Sequence, residues 1–425
     1  MADQAAIQDE FSDGVLRAAD GTPLRKKLRQ SLRRRRSQAL MLTLPLILFM
    51  VVTFVLPIGQ MLLRSTHNAA FPNALPKVTA ALANWDGQDL PPESTFKAMV
   101  EDLTLARKEK TIGRAATRVN YDFPGTRSLF TSSSRKAKKI TEPPYKDALI
   151  KLSKKWADPE VWSTMKRVSA EYSAGFYLAS LDMKENSAGD YVQKAEERRI
   201  YVPLFIRTLW MSALITLICA ILAYPIAYLL SVLPLRYSNL LMILVLLPFW
   251  TSLLVRTTAW IAILQSQGVL NDILVAIGVV SDDGRLQLIY NRTGTIVAMV
   301  HILLPFMVLP LYSVMKTIPP SLVRAARSMG ATETTAHMRI YFPLTLPGIA
   351  AGTLLVFILA IGYYITPALV GGQSGQLISN MIAFHMKQSL NWSLAAALGA
   401  ILLAGVLILY WLYNRLIGVD NMKFG

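Results

Sequence analysis

Cysteine is almost absent from these 425 residues, Cys219 being the only one. No intrachain disulfide can form, and no thiolate cluster is available for a zinc or iron–sulfur centre. Cys219 sits inside an apolar run, which assigns it to packing. Histidine is scarce as well, with four in the chain. There is no H-E-x-x-H pair and no G-x-S-x-G turn, which leaves a membrane protease or transferase without identifiable catalytic groups. A G-x-x-x-x-G-K-[ST] loop is also missing, so the chain has no ordinary cradle for nucleotide phosphates. Carboxylates are outnumbered, 27 Asp and Glu against 44 Lys and Arg, and the long apolar runs contain none.

Those runs are what the sequence has in quantity. The stretch from Ala39 to Met61 carries no charge and matches the ~20 helical residues needed to cross a bilayer core. Further runs lie near Leu209 to Leu233, Leu240 to Leu264, Thr295 to Val314, Gly348 to Val370 and Leu394 to Ile417, with turn residues or charges between them. They predict six spans. The formal charge of +17 raises nucleic acid as a partner, but its placement argues otherwise. Its densest run, Arg25 to Arg36, stands directly before the first span, where basic residues hold a terminus on the cytoplasmic side. A cleaved signal peptide does not fit, because the basic and apolar stretches are both too long.

With the amino terminus inside, the first span delivers the chain outside and the second returns it from about Tyr201. Between them, residues 64–200 form one long charged insert. Apolar spacing of three and four within Pro144 to Trp156 and Asp158 to Met183 predicts amphipathic helices. Thr131 to Lys139 and Glu142 to Pro144 read as loops. Being long, the insert is translocated despite its basic residues, because the positive-inside bias counts short loops. The Pro234 to Ser238 link and the Lys316 to Pro347 connector carry Arg236, Lys316, Arg324, Arg327 and Arg339, and fall inside. The stretches Gln265 to Gly294 and Gly371 to Asn391 fall outside.

The connector does not read as a loop. Ser321 is placed to cap a helix running from Leu322 to Met329, Gly330 to end it, and a second short piece to follow from Thr332 or Thr334. Pro343 and Pro347 mark entry into the next span. Ala325, Ala326, Gly330, Ile340 and Pro343 stand where the cytoplasmic coupling motif of ATP-binding cassette (ABC) importer permeases has its alanine pair, glycine and closing residues, and the segment resembles that motif. The resemblance implies that a short helix, with Leu322 and Ala331 beside those residues, seats in a cleft of an ATPase subunit. Arg324 replaces the family's usual glutamate, which implies an acidic or hydrogen-bonding counterpart on the ATPase. Leu246 to Asn271, Gly362 to Gly372 and Asn391 to Gly399 resemble the first of the two permease subunits of spermidine and putrescine importers. That likeness covers the last five spans, roughly half the chain; the insert resembles an extension found in some longer relatives.

Ionisable groups at membrane depth are costly and are functional candidates by default. Arg256, beside Trp250 and Trp260 in the third span, either faces a translocation path or snorkels to headgroups. His301 either meets solute or hydrogen-bonds a neighbouring helix. Tyr363 and Tyr364 precede Pro367, which frees a backbone carbonyl at a depth where this is tolerated beside protein or a cavity. Their rings are suited either to hold a cation or to lie in an interfacial aromatic belt. No carboxylate lines the spans, so either a second permease supplies acidic groups for a polyamine, or the aromatic rings suffice, or the solute is neutral or anionic and Arg256 meets it.

The resulting expectation is an all-α membrane protein of the ABC-importer permease type with a mostly helical periplasmic insert. Residues 1–38 form a basic cytoplasmic segment, 39–63 the first transmembrane helix, 64–200 the insert, 201–418 a five-helix core with a coupling helix near 319–347, and 419–425 a cytoplasmic tail. The resemblance implies a bacterial inner-membrane location with both termini cytoplasmic, and no cofactor on this chain. It also implies a second permease in a heterodimer, two ATPase subunits that use ATP and Mg, a periplasmic solute-binding protein, membrane lipid, and no nucleic acid. The solute implied is a polyamine; an opine, amino-acid derivative or organophosphonate remains open, as does a membrane sensor or adaptor with a periplasmic ligand domain.

Overall fold

A computed structural model of the protein describes residues 24–87, 89–186 and 190–417. The residues before Leu24 and the expected tail after residue 418 lie outside the described residues. The chain divides after Leu63 into two compact units.

In the first unit, α1 (Leu24–Met50) carries the basic run straight into the first apolar run. A π-turn at Val51–Val55 follows, and α2 (Leu56–Thr66) continues the helix. The wide turn falls just before Pro57, which has no N–H to give the preceding turn. Met41, Leu42, Phe49 and Leu63 are each more than half exposed, so this helix is apolar toward its surroundings.

The second unit begins with the insert: α3 (Ala70–Ala74), α4 (Pro76–Ala83), α5 (Glu93–Lys108), α6 (Ile112–Asp122), α7 (Thr126–Lys136), α8 (Tyr145–Leu152), α9 (Pro159–Ser169) and α10 (Gly175–Ser180). These helices close around an aromatic core. The Trp156 and Trp162 rings lie 5.5 Å apart, with Phe130 at 5.6 Å from the first and Phe96 at 4.6 Å from the second. Buried indoles need an acceptor. Trp156 Nε1 donates to Ser133 Oγ and Trp162 Nε1 to the Trp156 carbonyl, both at 2.9 Å. Asp158 caps α9 by accepting from the Glu160 N–H at 2.9 Å, with Pro159 as the first helical residue.

The serine-rich stretch expected to be a loop from Thr131 to Lys139 is instead helical through Lys136, followed by a 3-10 turn at Ala137–Lys139. Serine is a weak helix former, but Ser133 and Ser134 are buried, and the Trp156 contact rewards the helical register. A small hairpin, β1 (Met183–Glu185) paired antiparallel with β2 (Tyr191–Gln193), was not anticipated. At the neck of the insert, Ser173 N–H donates to the Thr66 carbonyl at 2.8 Å and Asn68 N–H to the Glu171 carbonyl at 2.7 Å. The segment entering the insert is thereby joined to the segment that leads into α10.

Then come the core helices. α11 (Tyr201–Val232) and α15 (Arg292–Thr317) pack against one another and against α18 (Phe342–Gly362). Met211, Ile215, Cys219, Ala223 and Ala227 recur every fourth residue on α11 and are fully buried, so the packed stripe is narrow and mostly small. The Cys219 thiol points at the Val300 carbonyl, 3.7 Å away, in agreement with a packing role. On α18, a Cβ added at Gly348 would meet Val314 at 3.0 Å, and one at Gly352 would meet Met307 Sδ at 2.6 Å. The pair forms a Gly-x-x-x-Gly face on which α15 lies.

The third run is not one helix. α12 (Leu235–Leu246) passes into a 3-10 turn at Leu247–Trp250, and a new helix, α13 (Leu253–Leu264), starts from a Ser252 cap. Pro248 cannot continue the ladder. The expected link from Pro234 to Ser238 shrinks accordingly, since α12 already begins at Leu235. α14 (Val269–Ala276) stands in the following connection, and α19 (Ile365–Val370), α20 (Ile378–Lys387) and α21 (Trp392–Ile417) complete the chain. Among the described residues, six helices or helix runs are long and apolar enough to cross a membrane.

Candidate translocation path and coupling surface

Two helix breaks face each other in the core. The first separates α12 from α13 at Thr251–Ser252; the second separates α18 from α19 at Tyr363–Tyr364. Pro367 has no N–H to return to the Tyr363 carbonyl, and Ser379 Oγ donates to that carbonyl instead, at 2.5 Å. Asn380 Nδ2 donates to the Tyr364 carbonyl at 2.8 Å. The freed backbone is thus satisfied by α20, which the sequence reading did not foresee. Thr257 Oγ1 and Thr366 Oγ1, both buried, meet at 3.4 Å between α13 and α19.

Arg256 lies one turn into α13. Its Nε and Nη1 are buried and have no hydrogen-bond partner. His301 and Tyr363 are within electrostatic reach of its charge, and Trp260 Nε1 donates to His301 Nδ1 at 3.1 Å. With Nδ1 accepting, a neutral imidazole carries its proton on Nε2. Arg256 and Trp260 of α13, His301 of α15 and Tyr363 at the α18–α19 break therefore form one cluster from two helices and a break. Buried guanidinium nitrogens left without acceptors are costly, so the half-buried Arg256 is a candidate contact for an acceptor.

Trp250 is outside that cluster: its side chain is 87% exposed at the end of the 3-10 turn. Tyr364 is already engaged, since Lys387 Nζ lies 5.1 Å from its ring centroid and donates to its hydroxyl at 3.3 Å. The aromatic–cation pair expected at this break is therefore made with a cation of the chain itself. Pro367 is buried within the first turn of α19.

At the opposite end of the core, the connector forms α16 (Pro320–Ser328), a turn through Gly330, and α17 (Glu333–Ala336) capped by Thr332. The helix starts two residues earlier than anticipated. Pro319 occupies its cap position without a side-chain bond, so Ser321 falls inside the first turn and does not cap. Gly330 has φ +90°, and a Cβ there would meet nothing within 4 Å; glycine is required for the backbone rather than for space within this chain. Leu322, Arg324, Ala325 and Met329 are exposed, with Met329 at 82%, while Ala326 turns inward. Ala331 is half-buried, and Ile340 and Pro343 lie exposed where the connector enters α18.

A π-turn at His337–Tyr341 joins α17 to α18 and is gripped by aromatic residues of α11. Tyr224 hydroxyl and His337 Nε2 are 2.8 Å apart, the His337 and Tyr341 rings stack at 5.1 Å, and Tyr228 meets both edge-on. Ser231 and Tyr341 hydroxyls are 3.3 Å apart. These contacts tie the end of the connector to α11 at the point where it enters α18. Tyr224, Tyr228 and Tyr341 follow i, i+4 spacing or flank His337, a signal that was present in the sequence and went unread.

At the insert's end of the core, His385 of α20 is buried between the Tyr201 hydroxyl (2.9 Å) and Ser389 Oγ (2.8 Å), with Tyr121 of the insert 6.5 Å from its ring. Burial pushes this imidazole down to about 4.

Apolar helices packed on a small-residue core, paired helix breaks with polar groups, and a rigid helical connector define a multi-span membrane transport protein. Over residues 175–417 the sequence matches the binding-protein-dependent transport system inner membrane components, and the chain belongs to that family. It is a permease subunit of a binding-protein-dependent ABC importer. The spermidine/putrescine transport system permease protein PotB of Salmonella typhimurium (strain SL1344) is 36% identical over 221 residues, covering 51% of this chain and 76% of that protein. PotB of Escherichia coli (strain K12) is 36% identical over 51% of this chain and 80% of its own length. A crystal structure of a bacterial ABC transporter for alginate import aligns with 54% of this chain and 82% of its own, at 19% identity and a TM-score of 0.44. The family match starts at residue 175, so most of the insert lies outside it.

Proposed function

We propose that the chain is one of two permeases of a polyamine importer, with the insert and the α18–α19 break on the periplasmic side and the α16–α17 connector in the cytoplasm. The observation that carries the polyamine reading is the 36% identity to PotB over 221 residues. A periplasmic binding protein delivers solute, a second permease completes the path and supplies the carboxylates that these spans lack, and two ATPases grip Leu322 to Met338. Hydrolysis of ATP, with Mg, takes place on those subunits. The exposed face of α16, the Gly330 turn and the aromatic clamp beyond them support a force-bearing role. The insert helps to orient the binding protein.

Uptake of labelled spermidine or putrescine into vesicles holding the complete transporter tests the solute. Accumulation that depends on ATP and the binding protein is expected; uptake of neither, together with selective uptake of a carboxylate, would overturn the polyamine. The orphaned Arg256 guanidinium is the observation that favours that second reading. For the connector, Gly330→Val forces a side chain into positive φ, and loss of ATPase assembly and uptake is expected. Normal assembly and uptake would remove the coupling role.

A further inference from the structure

A cleft of about 820 Å³ opens where the insert meets the loop before α21. Its charged lining is entirely basic: Arg64, Arg114, Arg118 and His67 contribute, and no carboxylate does. Arg118 is held, with Nη1 2.8 Å from Asp122 and Nε donating to Asn68 at 3.1 Å, and His67 lies 3.5 Å from Glu171. Arg64 and Arg114 are different. Both are exposed, and neither has an acidic partner among the described residues. Asn391 adds a polar group to the wall, and Leu390 and Trp392, 65% and 48% exposed, stand at the start of the last span.

Guanidinium groups recognise phosphate oxygens through paired, charge-assisted hydrogen bonds. Tryptophan at the end of a span sits at headgroup level. The cleft joins these two features at the places where the chain leaves its first span and enters its last. We propose that it binds a phosphate group, carried by the headgroup of an anionic phospholipid whose acyl chains run beside Leu390 and Trp392. The bound lipid ties the insert to the membrane surface and to α21. Its placement in the outer leaflet rests on the orientation given under Proposed function; the phosphate chemistry does not.

The experiment uses the complete transporter, purified and passed into discs of phosphatidylcholine containing a small fraction of phosphatidylglycerol. Mass spectrometry reads the lipid retained per complex after detergent washing, and no transport is required, so failure here leaves the importer reading intact. Retention of phosphatidylglycerol over phosphatidylcholine is expected, falling several-fold in the Arg64→Gln/Arg114→Gln double variant. The Arg107→Gln/Lys108→Gln double variant, in a separate basic groove of the insert, should retain lipid as the parent does. Equal retention by parent and Arg64/Arg114 variant, or no preference for the anionic lipid, overturns the site. A second arm adds inorganic phosphate and reads thermal unfolding in phosphatidylcholine discs. Stabilisation by phosphate that is lost in the variant, without lipid preference, overturns the lipid and leaves a free-anion site; no effect of phosphate beside selective lipid retention supports the lipid.

Discussion

The insert and the five-helix core solve the same packing problem by different means. In the insert the large side chains are inside: Phe96, Phe130, Trp156 and Trp162 are fully buried. In the core the interior mixes Met211, Ile215 and Leu303 with the small Cys219, Ala223, Ala227, Thr208 and Ser212, all fully buried, while Ile206, Leu217, Ile221 and Trp210 are more than half exposed. A helix surrounded by lipid gains nothing by hiding leucine, so association depends on close approach and on hydrogen bonds between helices. A helix surrounded by water gains about 25 cal/mol for each Å² of apolar surface it hides. One chain therefore follows two packing rules, and the change occurs at the neck of the insert.

The sharpest way to break this comparison is to truncate a large side chain in each region. Trp162→Ala leaves a cavity and removes the bond to the Trp156 carbonyl, and should destabilise the insert by about 3–5 kcal/mol; Ile221→Ala, at a side chain 62% exposed, should leave the core's thermal unfolding unchanged. Comparable losses at both sites would refute the contrast. The converse substitution sharpens it. Gly352→Leu drives a side chain into Met307 and should cost about 1–3 kcal/mol, read as a lower unfolding temperature, whereas Gly113→Leu on the insert, with nothing within 4 Å, should be tolerated.

Protons probe the same contrast more gently. His385 is held neutral, its folded value of about 4 lying below the 6.5 of an unfolded imidazole. The stability this contributes is complete above pH 6.5 and is lost as pH falls toward 4. His385→Gln, which keeps a neutral hydrogen-bonding side chain, should flatten that acid limb in a series of unfolding temperatures. Asp102 in the insert has the opposite sign. Burial raises its carboxyl above the ordinary value, although Val78 N–H donates to it at 2.8 Å. The folded form prefers the proton, so the stability that this preference contributes is present at low pH and is lost as pH rises through the raised value. Asp102→Asn should therefore raise the insert's unfolding temperature at pH 7, with the difference closing as the pH is lowered.

The spans, the helical insert and the connector were legible in the sequence because unbroken apolar runs, three-and-four spacing, and Pro–Gly punctuation are local signals. Arg256 and His301 were legible as charges at depth, but their meeting with Trp260 and Tyr363 was not, because it depends on which helices lie side by side. The break at Thr251–Ser252 had a local sign in Pro248 that an apolar average hides. Gly348 and Gly352 also stood at a readable spacing. Trp250, close to Arg256 in sequence, is 87% exposed at the end of the 3-10 turn, an exposure its apolar surroundings in sequence did not reveal. The α7 helix was missed because Ser133 is helical only through a tryptophan 23 residues further on.

The backbone bridge between residues 66–68 and 171–173 has a consequence for descent. A segment whose two ends are already neighbours can be gained or lost in one event without re-threading the helices on either side, much as whole domains are tolerated at surface positions where chain ends lie close. The hydrogen bonds at that neck are where such an event would leave its scar, and a chain joined directly from Thr66 to Ser173 should still fold its core.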